Sequence, residues 1–274
     1  MIGAILGDII GAPYEFDRGD KTKAFPLFSR ESCFTDDTVM TVAVAEAMLT
    51  ARGKSDGATK AELIRTMQRW GRKYPRAGYG GRFIRWLLFT HNPEPNNSFG
   101  NGSAMRVSSV GWLYDDLKTT QRMAALTASV SHNHPEGVKG AEATAGAIFL
   151  ARKGATREQV VEYMTREYGY ALKTCAELRP GNKHNETCQV TMPLVIAAIN
   201  ESDSYEDAVR TAVSLGGDTD TIACIVGGIA EALYGVPAAI IAEGSRRLPA
   251  DMCEAILHFE TAVEKARQEW SDNT

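Results

Sequence analysis

The chain has 274 residues, 44% of them hydrophobic and 23% charged, with a formal net charge of -4. That size and apolar content suit one large globular domain with ample core, and the mild acidity argues against a surface built for nucleic acid or anionic lipid. The five cysteines, Cys33, Cys175, Cys188, Cys224 and Cys253, are scattered and include no C-x-x-C pair, which fits reduced thiols in a cytoplasmic protein and argues against a zinc site.

In chain order, the run Met1 to Gly7 is apolar, lacks a basic segment and is broken by Asp8, so it reads as a buried first helix, not a signal peptide. A loop follows, Gly11-Ala-Pro-Tyr-Glu15-Phe-Asp17. Pro13, Tyr14 and Phe16 can desolvate Glu15 enough for acid or base work near neutral pH, the plain alternative being a solvated loop acid. The stretch before Thr35, with Gly19, Lys21, Lys23 and Pro26, is expected to be polar and flexible.

Thr35-Asp36-Asp37-Thr38 then opens an apolar stripe of Met40, Ala43, Val44, Ala47, Met48 and Ala51 at helical spacing. Further helices are expected around 59–74, 119–132, 136–152, 156–168, 188–200 and 204–214, with capping sequences at Thr156 and Ser204. Loops are expected at 53–57, 92–102, 180–181 and 235–237, where Pro and Gly cluster. A second stripe, Ile222, Ile225, Val226, Ile229, Ala230 and Leu233, follows the cluster Gly216-Gly217-Asp218-Thr219-Asp220-Thr221. The stretch 222–242 contains Glu231 and Pro237, which excludes a membrane span. Gly227-Gly228 inside that helix reads as a close-packing device. Ile256, Phe259, Val263 and Ala266 mark an amphipathic last helix. With no period-two strand, the expectation is a single compact all-α, multi-helix domain over residues 1–274.

The two acidic clusters share one grammar: paired carboxylates and threonine hydroxyls immediately before a long helix. Thr and Asp are also ordinary N-cap residues, and first-turn acids complement the helix dipole, so either cluster alone reads as a cap. A cap needs one acceptor, however, and each cluster offers several. Carboxylate and hydroxyl oxygens are hard ligands suited to Mg²⁺ or Ca²⁺. Were the two clusters to meet, four carboxylates would share one place, which requires a cation.

Gly78-Tyr79-Gly80-Gly81 and Asn101-Gly102-Ser103-Ala104-Met105-Arg106 are small-residue turns before helices, whose exposed N–H groups can cradle phosphate. Phe99 and Tyr79 beside them could stack on a base or simply pack in the core. In Ser131-His132-Asn133-His134-Pro135, His134 is expected to cap a helix C-terminus.

Taken together, Gly7-Asp8-(x)2-Gly11-Ala-Pro-Tyr-Glu15, Thr35-Asp36-Asp37-Thr38, Gly100-Asn101-Gly102-Ser103-Ala104-Met105-Arg106, Ser131-His132 and Gly216-Gly217-Asp218-Thr219-Asp220-Thr221 resemble, in order and across nearly the whole chain, the ADP-ribosyl-acceptor hydrolases, the group that includes the dinitrogenase-reductase-activating glycohydrolase. The resemblance implies a binuclear Mg²⁺ cleft, with Mn²⁺ as a substitute, that cleaves ADP-ribose from an acceptor. It assigns Thr35, Asp36, Asp37, Asp218, Asp220 and Thr221 as metal ligands, and Glu15, with Asp36 and Asp37, as catalytic. Gly78, Tyr79, Gly80, Gly81, Ser98, Phe99, Gly100, Asn101, Gly102, Ser103 and His132 fall on positions that hold the diphosphate and adenosine. The implied partner is an ADP-ribosylated protein or small molecule, with nucleic acid only as a modified substrate and no membrane, acted on by a cytoplasmic monomer. The rival readings are a non-catalytic ADP-ribose-binding module and a Mg²⁺-dependent nucleotide-diphosphate phosphohydrolase.

Overall fold

The computed structural model describes residues 1–91 and 93–272; Asn92, the first residue of the expected loop 92–102, lies outside them. The described residues form helices α1 (Ile2–Gly11), α2 (Asp36–Thr50), α3 (Asp56–Lys73), α4 (Gly81–Leu88), α5 (Gly102–Met105), α6 (Val110–Leu113), α7 (Leu117–Ser129), α8 (Pro135–Arg152), α9 (Arg157–Tyr168), α10 (Cys175–Leu178), α11 (Cys188–Asn200), α12 (Tyr205–Ser214), α13 (Thr219–Tyr234), α14 (Ala238–Ser245) and α15 (Ala250–Asp272). The only β pairing among them is an isolated bridge between Gly100 and Thr187. No helix among the described residues is long and apolar enough to cross a membrane.

The centre of the fold is the pair α1 and α13. All of α1 is buried, and its Gly3, Gly7 and Gly11, one turn apart, form a ridge with no side chains. A Cβ at Gly7 would lie 2.0 Å from the Ala223 carbonyl oxygen, and one at Gly3 2.5 Å from that of Gly227. Only glycine lets the two backbones approach this closely. Gly227 returns the favour, since a Cβ there would sit 2.2 Å from the Gly3 carbonyl oxygen. The Gly227 half of this contact follows from the sequence; the Gly3-Gly7-Gly11 ridge is the finding that explains it. Polar contacts fix the register: Thr219 Oγ1 donates to Gly11 O (2.9 Å), Tyr205 OH donates to Gly3 O (2.7 Å), and Gly3 N–H donates to Glu231 Oε2 (2.9 Å). The antiparallel register lays the start of α13 against the end of α1, which places Asp220 beside Asp8.

Helix α2 packs on α1, α3 and α15. The sequence suggests one apolar stripe, but α2 is buried on every side from Asp37 to Ala45, because α15 covers the face left open by α1. Ile256, Phe259, Val263 and Ala266 of α15 are buried as the spacing predicts. The remaining helices match the predicted spans within a few residues, except that α7 stops at Ser129. There the chain tightens into a turn, with Ser131 N–H and His132 N–H both returning to Ala128 O. The one-turn helices α5, α6 and α10 are too short to show a period.

His134 does not cap a helix C-terminus. Its Nδ1 accepts from Glu136 N–H (3.1 Å) at the start of α8, because Pro135 at the first helical position lacks an N–H and directs the chain into a new helix. The stretch 18–34, expected to be flexible, is tied down. Lys23 pairs with Asp207 (2.9 Å), Arg210 donates to Phe25 O (2.6 Å), and Arg247 donates to Ser29 O (3.2 Å).

Candidate active site

The start of α2 and the start of α13 face one cleft, of about 360 Å³, lined by Thr35, Asp36 and Asp37 from one and Asp218, Asp220 and Thr221 from the other. Clusters whose direct contact spans 184 residues meet because α1 bridges them. Asp8, fully buried on α1, accepts from Thr35 N–H (2.9 Å), Thr35 Oγ1 (2.8 Å), Thr38 N–H (3.0 Å) and Thr38 Oγ1. It thus holds the first turn of α2 from below. Asp37 Oδ2 accepts from Thr221 Oγ1 (3.3 Å), joining the clusters directly. Asn101 Nδ2 donates to Asp218 Oδ2 (2.6 Å) and to Thr191 Oγ1 (2.9 Å), anchoring the second cluster to α11.

This floor is electrostatically unbalanced. Burial and then the neighbouring Asp220 carboxylate drive Asp36 and Asp37 well above the usual carboxylate range. Burial and then Asp218 do the same to Asp220. Asp218 is pushed up to about 6 by burial, with hydrogen bonds from Asp220 and Asn101 restraining it. Asp37 Oδ1 is buried without a hydrogen-bond partner. A buried lone pair left open in a crowd of oxygen donors fits a hard divalent cation, which would neutralise the floor and take up the orphaned oxygen.

One wall is the turn Gly78, Gly80, Gly81 with Arg82 and Phe83 at the start of α4, and the opposite wall is Ser98, Gly100, Asn101, Gly102, Met105, Arg106 and His132. No side chain caps α4, so its first N–H groups are available to an anion. His132 is buried, and desolvation followed by the Arg106 charge holds it well below the usual imidazole range, so it is neutral.

The rim is the flap Glu15 to Asp17 and the loop 182–186. Phe16 N–H donates to Gly217 O (3.1 Å), and Gly217 N–H and His184 N–H donate to the two Asp17 oxygens (3.1 and 3.4 Å). The Phe16 ring lies 4.4 Å from that of His184. Glu15 overhangs the floor, pushed up to about 7 by burial and then by Asp220, with His184 and Arg18 opposing. Ligand atoms of Glu15, His184 and Asp218 come within 4.8 Å of one another, which shows how tightly rim and floor meet.

Three residues expected among the ligand contacts do not line the cleft. Tyr79 is buried against Phe83. Ser103 is spent on Gly137 O (2.6 Å). Phe99 is half-exposed and turns to His134 on the outside. The aromatic walls are instead Phe16, which the sequence marks only as a desolvating neighbour of Glu15, and Phe83, which it gives no role. Arg106 closes a motif visible in the sequence and could have been found there. Glu186 comes from a loop with no local signal.

A model of the ADP-ribosylglycohydrolase family matches residues 1–272. The chain belongs to that family. It is similar to ADP-ribosylhydrolase ARH3 of Bos taurus (27% identity, covering 86% of this chain and 84% of that protein) and of Homo sapiens (26% identity, 86% and 84%). It is also similar to ADP-ribosylarginine hydrolase Tri1 of Pseudomonas putida strain GB-1 (27% identity, 86% and 70%). A solved structure titled ADP-ribosylglycohydrolase-related protein complex superposes with a TM-score of 0.70 at 23% identity, covering 96% of this chain and 95% of that one. It shares the fold. Members of the family are glycohydrolases acting on ADP-ribosylated substrates, and this chain is an enzyme of that class.

Proposed function

We propose that this chain hydrolyses the glycosidic bond between ADP-ribose and its acceptor, with two Mg²⁺ ions held by Thr35, Asp36, Asp37, Asp218, Asp220 and Thr221, Mn²⁺ serving as a substitute. The observation that carries the reading is the meeting of the two acidic clusters on one cleft directly beneath Glu15. When bound, the ions supply the positive charge that the floor lacks and polarise the oxygens they touch.

The residues do the rest. The glycine turn at Gly78, Gly80 and Gly81 and the N-terminus of α4 receive the diphosphate, and Phe83 and His132 bound the adenosine side. Glycosidic cleavage passes through an oxocarbenium-like state that needs a proton on the leaving atom and water on the sugar carbon. Glu15, protonated near neutral pH, faces the floor and holds that proton. As the glycosidic bond breaks, its electron pair leaves with the acceptor atom, which takes the Glu15 proton. The Glu15 carboxylate then takes a proton from the incoming water, giving free ADP-ribose and unmodified acceptor. Asp36 and Asp37 orient the ribose end of the substrate over the floor.

The test is a panel of arginine-linked, serine-linked, O-acetyl and nucleic-acid-linked ADP-ribose incubated with Mg²⁺ or with EDTA, products read by mass spectrometry. Release of ADP-ribose from one linkage, lost in EDTA, is the expected result and identifies the acceptor. Release of AMP instead, or no product from any substrate, overturns the reading.

A further inference from the structure

Arg106 is fully buried and takes no part in the chemistry above. It closes the Asn101 to Arg106 motif and forms part of the cleft wall, its guanidinium 5.6 Å from the centre of the Phe83 ring. Nη2 donates to Thr127 O (3.2 Å) and to Ser131 Oγ (2.8 Å), and Ser131 Oγ lies 2.8 Å from His132 Nδ1. The three side chains form one line ending at the ligand cleft.

The donor count along that line has one solution. A guanidinium only donates, so Ser131 Oγ accepts from Arg106. The serine has a single O–H, it is buried, and among the described residues its remaining contact is His132 Nδ1. If Nδ1 carried a proton, the Ser131 O–H would be buried without an acceptor, an arrangement native proteins avoid. Nδ1 must therefore accept, and neutral His132 carries its proton on Nε2. Which ring nitrogen is protonated is set by the bond the other makes. Nε2 hydrogen-bonds no described residue and overlooks two glycines: a Cβ at Gly102 would lie 3.1 Å from it, and one at Gly100 3.4 Å. The space those missing side chains leave is cleft.

We propose that Arg106 and Ser131 are positioning residues that lock His132 in the Nε2–H tautomer, so that it offers a fixed N–H donor to an acceptor oxygen of ADP-ribose, phosphoryl or hydroxyl. The other tautomer would turn a lone pair toward that oxygen and repel it. The ligand half rests on the reading of the cleft as an ADP-ribose site; the tautomer half does not, because it is read in the free protein.

The experiment is a long-range proton–nitrogen correlation spectrum of the full chain labelled with ¹⁵N-histidine, near neutral pH without metal or ligand. The His132 signals are assigned by their loss in His132→Gln. The expected result is one tautomer, with Nδ1 in the non-protonated range and Nε2 in the protonated range. A protonated Nδ1, or an averaged pair, overturns the lock.

Arg106→Met tests the relay. Nε and Nη1 of Arg106 already lack partners, so an apolar chain of similar length should leave the fold intact, as a melting curve would verify. Ser131 could then either donate or accept, and the His132 signals should average. Arg106→Lys should restore the single tautomer. A single unchanged tautomer in Arg106→Met overturns the role of Arg106. Titration with ADP-ribose and Mg²⁺ by calorimetry should show binding about twofold weaker in Arg106→Met, because averaging leaves about half of the His132 population in the binding tautomer, and near wild type in Arg106→Lys. Equal affinity in all three overturns the donor role of His132. Absence of ADP-ribose binding by the wild type overturns the ligand half alone, since the tautomer spectrum stands independently of it.

Discussion

The floor and the rim of the cleft are under strain of different kinds. The floor sets carboxylates on the first turns of two long helices, locked by Asp8 and by the glycine ridge of α1; its backbone is regular and its charge is not. The rim carries the reverse pattern. Glu15 to Asp17 and residues 182–186 are held by a few bonds between loops, and Phe16 and Asp17 both lie in the left-handed region, at φ 60° and 57°. For Phe16 that conformation costs roughly 1–2 kcal/mol and persists only where surrounding contacts enforce it, whereas Asp17 belongs to the few residue types that tolerate it. The floor stores electrostatic repulsion that a bound cation would relieve, whereas the rim stores backbone strain that release of a few hydrogen bonds would relieve. A site so divided has its charge on helix starts and its entrance between loops.

The sharpest way to break the comparison is at the floor. Asp36→Ala should abolish ADP-ribose release in Mg²⁺ yet raise the melting temperature of the EDTA-treated protein, because it removes one of several repelling carboxylates. A relief of about 1 kcal/mol corresponds to about 2–4 °C in a domain of this size. Asp218→Ala should also be inactive, but without that gain, since it strands the Asn101 donor. A melting temperature lowered by Asp36→Ala in EDTA would show that the floor is not strained as described.

The rim supplies the second test. Glu15→Gln keeps shape and hydrogen bonding but cannot transfer a proton, so kcat should fall by about 10²–10⁴-fold while ADP-ribose affinity, read by calorimetry, barely changes. The wild-type rate should fall as pH rises through about 7, where Glu15 loses its proton, and the residual rate of Glu15→Gln should lack that arm. Near-wild-type turnover in Glu15→Gln would move the acid to a floor carboxylate.

The floor was legible in the sequence because each cluster is contiguous and sits at a helix start, where chemistry and capping share residue types. The buried last helix and the close contact at Gly227 were legible from spacing. The rim was legible in Glu15 and the walls in their glycine turns and His132, but the other side chains of both were not. Phe16, Phe83 and Glu186 reach the cleft through tertiary contacts that leave no local pattern. Tyr79 and Phe99 show the converse, as aromatics beside glycine turns whose directions depend on neighbours far away in the chain. Asp8 carried a signal, an acid inside an apolar helix, yet its role needs the Thr35-to-Thr38 turn packed against it. The loop 18–34 looks flexible in composition, yet it is anchored by contacts to Asp207, Arg210 and Arg247 far away in the chain.

A smaller effect separates the two kinds of strain by pH. The floor carboxylates and Glu15 are raised in the folded state, so the folded protein holds protons that the unfolded chain has lost. Their contribution to stability is present below the unfolded values near 4 and is lost as pH rises through the folded ones, about 6 for Asp218 and about 7 for Glu15. In EDTA the melting temperature should therefore decline from about pH 5 to about pH 8. Excess Mg²⁺ should stabilise most at the upper end, where it no longer competes with protons. A metal-free profile flat across that window, or an Mg²⁺ effect independent of pH, would contradict the account of the floor.

The smallest effect is expected at Asp17, the clasp of the rim. Its two oxygens accept from Gly217 and His184 N–H groups, and Lys21 lies 3.6 Å away. Asp17→Ala removes these bonds and leaves a residue that tolerates a φ of 57° poorly, so both terms push the flap from its closed position. Hydrogen bonds at a half-exposed site contribute about 1 kcal/mol or less each, and Asp17 touches neither the floor nor the ligand walls. The consequence should be a few-fold loss of kcat with little change in melting temperature. Faster amide exchange at Gly217 and His184 should accompany it, read by hydrogen-exchange mass spectrometry. Asp17→Asn keeps an oxygen acceptor and suits the left-handed region, so it should stay close to wild type. Asp17→Gly separates the two terms, because it loses the bonds but relieves the backbone. If Asp17→Gly and Asp17→Ala lose rate equally, the hydrogen bonds alone hold Glu15 over the floor. If only Asp17→Ala is impaired, backbone conformation does. If neither changes rate or exchange, the flap is fixed by Phe16 N–H on Gly217 O and by Phe16 against His184, and Asp17 is not the clasp.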